Sequence, residues 1–203
     1  MASSSGQAAR PTHPRGSGSA ATRDRLLRAA AELIAEVGWA RVTTRAVAER
    51  AGLPHGAVSY HFHGKQELLT AAALVTFERA FPVAELRSLD GVTDLLDMVA
   101  AMIADPKAFD SILTGVSMEA MRESERDPAV REHVAALLRE YRLLIAELVR
   151  ADQDRGAIPA DPSTAGLATM LGAFADGLIL HALVDPELDA AEAIESLRAV
   201  LVR

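Results

Sequence analysis

The side chains best suited to chemistry gather between Arg41 and Leu69, in the run RVTTRAVAERAGLPHGAVSYHFHGKQELL. Within it, His55, Gly56, Ser59, Tyr60 and His61 fall on the outward side of a short helix. They are small or hydrogen-bonding groups of the kind that meet base edges and phosphates. Arg45, on the preceding short helix, can reach a base or the backbone. Lys65 starts the next helix, where free N–H groups already attract a phosphate. His61-Phe62-His63 has the spacing of a metal pair, but zinc needs three or four ligands and the nearest spare carboxylate, Glu67, begins a helix expected to point elsewhere. Asp176 and His181 suggest acid/base work, yet five positions on a helix is about 500° of rotation, so they read as a satisfied polar pair at an interface. No Gly-rich phosphate loop, Gly-x-Ser-x-Gly elbow or paired carboxylate stands out. The reading therefore assigns no catalytic residue, no metal and no cofactor.

These residues sit in a chain of 203 residues that is 50% apolar and 4% aromatic, with no cysteine and a net charge of −7. The length suits one domain or two small ones sharing a core. Without cysteine there is no disulfide framework, no zinc finger and no thiol nucleophile, which fits a reducing, cytoplasmic setting. The charge is unevenly spread. Met1 to Leu69 holds 9 basic against 5 acidic residues, and Thr70 to Arg203 holds 12 against 23. A basic front and an acidic back predict a polyanion partner for one end only.

Apolar residues recur at helical spacing along nearly the whole chain and β alternation is absent, so the expected fold is all-α with about nine helices. The first 21 residues, rich in Ser, Gly, Pro and Ala, lack the apolar run of a secretory signal and read as a disordered tail. Thr22 is expected to cap a helix carrying Leu26, Leu27, Ala30, Leu33, Ile34 and Val37 on one face, ended by Gly38. Thr43 or Thr44 caps a second helix to about Ala51, Gly52 breaks the chain, a third helix runs from about Pro54 to Phe62, and a fourth from Lys65 to Phe81. Further helices are expected at about Val92 to Ala104, Pro106 to Glu125, Pro128 to Asp154, Pro162 to Val184 and Glu187 to Val202. The Asp-Pro pairs at 105, 127, 161 and 185 mark starts among these. Ser163 to Val184 is the most membrane-like stretch, but Asp176 and His181 make it a buried helix rather than a span.

Val42, Val47, Ala51, Leu53, Val58 and Phe62 can form one small core, with Ala48 allowing two short helices to cross closely and Gly52 making the turn between them. This is a helix-turn-helix pattern. The segment resembles the DNA-binding region of the tetracycline-repressor (TetR) family of bacterial transcriptional regulators. The matching pieces are Thr43-Thr44-Arg45, Ala48-Glu49-Arg50-Ala51-Gly52-Leu53, Gly56, Tyr60-His61-Phe62 and Lys65-Gln66-Glu67-Leu68-Leu69. The resemblance implies DNA contacts by Thr43, Thr44 and Arg45, by His55, Gly56 and Ala57 at the amino end of the recognition helix, and phosphate contacts by Tyr60, His61 and Lys65, with Ser59 also facing outward. Pro54 stands where many members have Ser or Thr, and Ser59 where many have Tyr.

The resemblance further implies a DNA-binding domain over residues 22–69, and an effector-binding and dimerisation domain over 70–203. The last two helices are expected to pair with their copies through Leu167, Met170, Leu171, Phe174, Leu178, Ile194, Leu197 and Leu201. Gly166, Gly172, Ala173 and Gly177 are small enough for close approach. Candidate effector-pocket residues are Phe77, Met102, Phe109, Leu113, Met118, Met121, Tyr141 and Phe174, since flexible Met and rigid aromatics line apolar cavities. The implied function is a homodimeric repressor released from a pseudo-palindromic double-stranded operator by a small-molecule effector. The alternatives are a regulator of the same fold controlled by a protein partner, and a helical metal-binding protein or enzyme using His61 and His63.

Overall fold

The computed structural model describes residues 15–80, 83–105 and 111–201, and among them every regular element is helical. In chain order these are α1 (Arg15–Val37), a 3-10 turn (Trp39–Arg41), α2 (Thr44–Arg50), α3 (Gly56–His61), α4 (Lys65–Ala80), α5 (Val83–Leu86), α6 (Val92–Ala104), α7 (Ser111–Glu123), α8 (Pro128–Asp154), α9 (Thr164–Val184) and α10 (Ala190–Leu201). Apart from the single turn α5, too short to carry a periodicity, nine helices stand as the spacing predicts.

Several ends differ from expectation for local reasons. The first helix begins at Arg15, not Thr22. The Thr22 hydroxyl donates to the Gly18 carbonyl at 2.7 Å, a bond one turn back inside a helix rather than a cap. Residues 1–14 of the expected tail lie outside the described residues, as do the Phe81-Pro82 stop and the Pro106 start. Asp127-Pro128 behaves as predicted, with the Asp127 side chain capping α8 and Pro128 at its first position. Asp161-Pro162 and Asp185-Pro186 do not start helices. Ser163 caps α9 by accepting from the Gly166 N–H at 3.1 Å, and Asp189 accepts from the Glu192 N–H at 2.9 Å at the head of α10. Asp105 and Asp185 instead close the preceding helices α6 and α9.

The buried apolar residues form two clusters. The first joins Leu26, Ala30 and Ile34 of α1, Val42, Val47 of α2, Val58 of α3, Phe62, and Leu68, Leu69 and Phe77 of α4, and continues into Val116 and Ala120 of α7 and Val130 and Val134 of α8. Trp39, which carries no sequence signal beyond its size, is inserted here by the 3-10 turn. The second cluster collects Leu86, α6, the later part of α8, α9 and α10. Helix α8, 27 residues and so about 40 Å long, runs through both and ties them together.

At the head of α6, buried Asp152 from the end of α8 accepts from the Val92 N–H at 2.8 Å and pairs with Arg155, whose other nitrogen holds the Asp90 carbonyl at 3.0 Å. Gly91 is required there for space: a Cβ would sit 2.6 Å from the Asp152 carboxylate.

Candidate nucleic-acid interface

Thr43 caps α2 by accepting from the Ala46 N–H at 3.1 Å. The chain then turns at Gly52, whose φ of 63° lies in the left-handed region open to glycine. The Leu53 N–H returns to the Ala48 carbonyl at 2.9 Å, which closes the turn between α2 and α3. Arg25 of α1 donates to the carbonyls of Ala51 and Gly52 at the same turn. Val58 and Phe62 are buried on the inner side of α3. The opposite side is left bare, with Tyr60 80% exposed and His55, Gly56 and Ser59 also exposed. No side chain caps α3, as Pro54 in place of a hydroxyl residue leads one to expect; His55 occupies the cap position without a side-chain bond.

The predicted contact residues are not equivalent. Arg45 is exposed and paired with Glu49 at 2.9 Å, and His55 lies 4.0 Å from the same carboxylate. Glu49 thus brackets two of the groups offered to a ligand. The sequence reading missed this, although the four-residue spacing from Arg45 was a usable signal. Tyr60 meets His61 edge-on, ring centres 4.9 Å apart. Thr44, Ala57 and His61 are half-buried, and Ala57 packs against the first cluster. Lys65 is not a free cation, because its Nζ donates to the Ala40 carbonyl at 2.8 Å and ties the start of α4 to the 3-10 turn.

Arg23 also lies at this end, and sequence reasoning did not single it out. Its guanidinium lies over the Phe62 ring at 5.2 Å. Arg50 belongs to the scaffold. It forks onto Glu36 at 2.7 Å and reaches Glu32 at 3.3 Å, and that hydrogen bonding holds the Glu36 carboxyl below the usual carboxylate range.

The geometry corrects the view of Glu67. Its carboxylate does not point elsewhere but folds back over His63, accepting from the backbone N–H at 2.7 Å and facing Nδ1 at 2.8 Å. Those bonds hold the Glu67 carboxyl below its ordinary range. His63 is therefore engaged away from His61, and among the described residues no three His, Asp or Glu side chains are grouped to hold a metal ion.

In the other half, the described candidate pocket residues do not all converge. Phe77 is sealed in the first cluster and Tyr141 in the second. Burial, with Asp176 nearby, pushes the Tyr141 phenol well above its usual range. Met118 and Met121 are exposed, because Val116, Ser117 and Ala120 take the inner face of α7. Met102, Leu113 and Phe174 are half-buried, and Phe109 lies outside the described residues. The candidate interface residues also divide. Leu167, Leu171, Leu178 and Ile194 belong to the protomer's own core, and Phe174, Leu197 and Leu201 pack against it. Met170 stays 66% exposed. Gly172 faces Tyr141 and Ile145, whereas Gly177 has open space before it. Asp176 and His181 share no hydrogen bond, so they are not the polar pair expected; partial burial holds the Asp176 carboxyl above its usual range. Helix α9 is long and apolar enough to cross a membrane by length and composition; one side of it packs on α8 and the second cluster, and the other leaves Met170, Leu180 and Val184 exposed.

A short helix with a buried inner side and a bare outer side, crossed by a second across a glycine turn, defines a helix-turn-helix DNA-binding regulator. Residues 26–72 match the family described as bacterial regulatory proteins, tetR family, and residues 92–203 match the carboxy-terminal domain of BetI-type transcriptional repressors. The chain belongs to the TetR family of bacterial transcriptional regulators. It is 27% identical over 178 residues to the HTH-type transcriptional repressor AcnR of Corynebacterium glutamicum, covering 86% of this chain and 90% of that one. It is 28% identical over 186 residues to the HTH-type transcriptional regulator UidR of Escherichia coli K12, covering 89% and 91%. Among solved structures, SmeT in complex with triclosan superposes with a TM-score of 0.72 at 28% identity, covering 90% of this chain and 92% of that one.

Proposed function

We infer that this DNA-binding regulator acts as a cytoplasmic homodimeric repressor released from a pseudo-palindromic operator by a small molecule. The observation that carries the DNA half is the outer side of α3, where His55, Ser59 and the 80% exposed Tyr60 face solvent while Val58 and Phe62 anchor the helix. Arg45, Thr43, Thr44 and the amino end of α3 at Gly56 and Ala57 flank that side and contact bases or the backbone; His61 and Lys65 serve mainly by orienting Tyr60 and the start of α4. Residues 22–69 form the DNA-binding domain and 70–203 the regulatory and dimerisation domain.

The dimer surface is the outer side of α9 and α10. Met170, Leu180, Val184 and Val200 are exposed apolar residues there, and Ala173 and Gly177 between them allow close helix approach. Two recognition helices related by a two-fold axis read half-sites about one helical turn, roughly 34 to 36 Å, or a multiple apart. Effector control is supported by the likeness to SmeT, whose structure contains triclosan. Selection of tight-binding duplexes from a random pool tests the whole reading. It should return a pseudo-palindrome whose binding some small molecule weakens; recovery of no preferred sequence would remove it.

A further inference from the structure

Glu49 sets a negative charge among the groups that face DNA. Its side chain is exposed, as are those of Arg45 and His55 on either side of it. Both neighbours converge on one oxygen. Arg45 Nε donates to Oε1 at 2.9 Å, and His55 Nε2 stands 4.0 Å from the same atom, beyond hydrogen-bond reach. Oε2 takes no hydrogen bond from another described residue. The carboxylate therefore keeps an open acceptor between the last turn of α2 and the amino end of α3. An exposed ion pair four residues apart adds little to stability, so the fold alone has small need of an acid here. In front of a polyanion that acid is costly. Affinity for phosphates grows with each cation that can meet one, whereas Glu49 both occupies Arg45 and repels phosphate oxygens.

That cost falls on every duplex, but one kind of contact offsets it. In the major groove the cytosine amino group donates to a carboxylate, whereas the guanine O6 and N7 and the thymine O4 are acceptors that repel one. We propose that Glu49 is a specificity-determining residue, whose Oε2 accepts from a cytosine amino group in each operator half-site. On other sequences the carboxylate finds only phosphates and base acceptors, and it weakens binding there. The inference rests on the assignment of the outer side of α3 to DNA. It adds selection against wrong sequence to the attractive contacts of that side, since specificity is a difference between two affinities.

The test is selection of duplexes from a random pool by the full chain and by Glu49→Gln, followed by affinities for the wild-type operator and for a random-sequence duplex. Glu49 is exposed, so the variant should keep the wild-type Tm. Wild type should require cytosine at one position of each half-site, and Glu49→Gln should lose that requirement alone. The variant should bind random duplex more tightly, and its ratio of operator to random affinity should fall about tenfold. Its salt slope on random duplex should steepen as Arg45 is freed, and Arg45→Gln in the same chain should cancel that gain. Unchanged base preferences, or a ratio that stays constant or rises, would overturn the proposal. A variant that keeps the wild-type preferences while Tyr60→Ala loses affinity leaves the DNA-facing side of α3 standing and removes Glu49 from it. Failure of wild type to select any sequence would instead remove the broader reading.

Discussion

Gln66, in the first turn of α4, donates from Nε2 to Oδ2 of Asp127 at 3.0 Å, while Oδ1 of the same carboxylate caps α8 through the Ala129 N–H at 2.8 Å. One side chain thus terminates a helix of the regulatory half and holds the helix that follows the DNA-reading motif. The joint is broader than this pair. Gln66 also reaches Glu123 at 3.3 Å and the Trp39 indole at 3.5 Å, and the Trp39 backbone N–H donates to Glu119 at 3.0 Å. Glu119, Glu123 and Asp127 are therefore bonded to groups on either side of α2 and α3, which ties α7 and the head of α8 to the 3-10 turn and the start of α4.

Removing the shared carboxylate should cost more than removing its amide partner. Asp127→Ala loses the cap and is expected to lower stability by about 1 kcal/mol, within the roughly 0.5–2 kcal/mol range of such caps; Gln66→Ala should cost less. Hydrogen bonds from Gln66 and Ala129 hold the Asp127 carboxyl below its usual range. A lowered folded value stabilises the protein above the unfolded value, near pH ~3.9, and that contribution is lost as pH falls through the folded one. Thermal unfolding of wild type and Asp127→Ala should therefore converge in acid. A gap that stays constant with pH would contradict this role.

Gly91 predicts a steric rather than a conformational penalty. Its backbone is extended, so any residue could adopt it, but a Cβ would strike the buried Asp152 that holds the head of α6. Gly91→Ala should destabilise by about 1–3 kcal/mol in chemical denaturation. An unchanged midpoint would show that Asp152 and Arg155 move aside freely.

Much of the reading half was legible because its signals are local. Thr43 as a cap, Gly52 at a turn and the spacing of Val47, Val58 and Phe62 each follow from neighbours a few residues away. What the sequence hid depends on distant chain. Lys65 looked free, and only the fold brings the Ala40 carbonyl to its Nζ. Trp39 and Glu119 are 80 positions apart, and nothing near either announces their bond. Helix α9 is hard to read from sequence for a different reason. It is apolar nearly all round, so periodicity could not separate Leu167 and Leu171, which face the protomer core, from Met170, which does not. The pocket candidates rest on residue type alone, which does not say which cluster a residue joins. Phe77 and Tyr141 are both large and buried, but in different clusters.

The two faces of α9 give opposite mutational signatures. Met170→Arg, at an exposed position, should leave the protomer folded and shift sedimentation from dimer to monomer. Leu167→Ala, in the core, should cost about 2–5 kcal/mol of stability. A Met170→Arg protein that remains dimeric would place the interface elsewhere.

The most direct test of the DNA-reading side of α3 is the affinity of Tyr60→Ala for a selected operator duplex, measured across a range of salt concentrations. Tyr60 is exposed and outside the core, so the variant should fold with wild-type Tm. Binding should weaken, and the plot of log affinity against log salt should flatten if the phenol helps seat a phosphate contact. Wild-type affinity and an unchanged slope in the folded variant would contradict the assignment of this face to DNA.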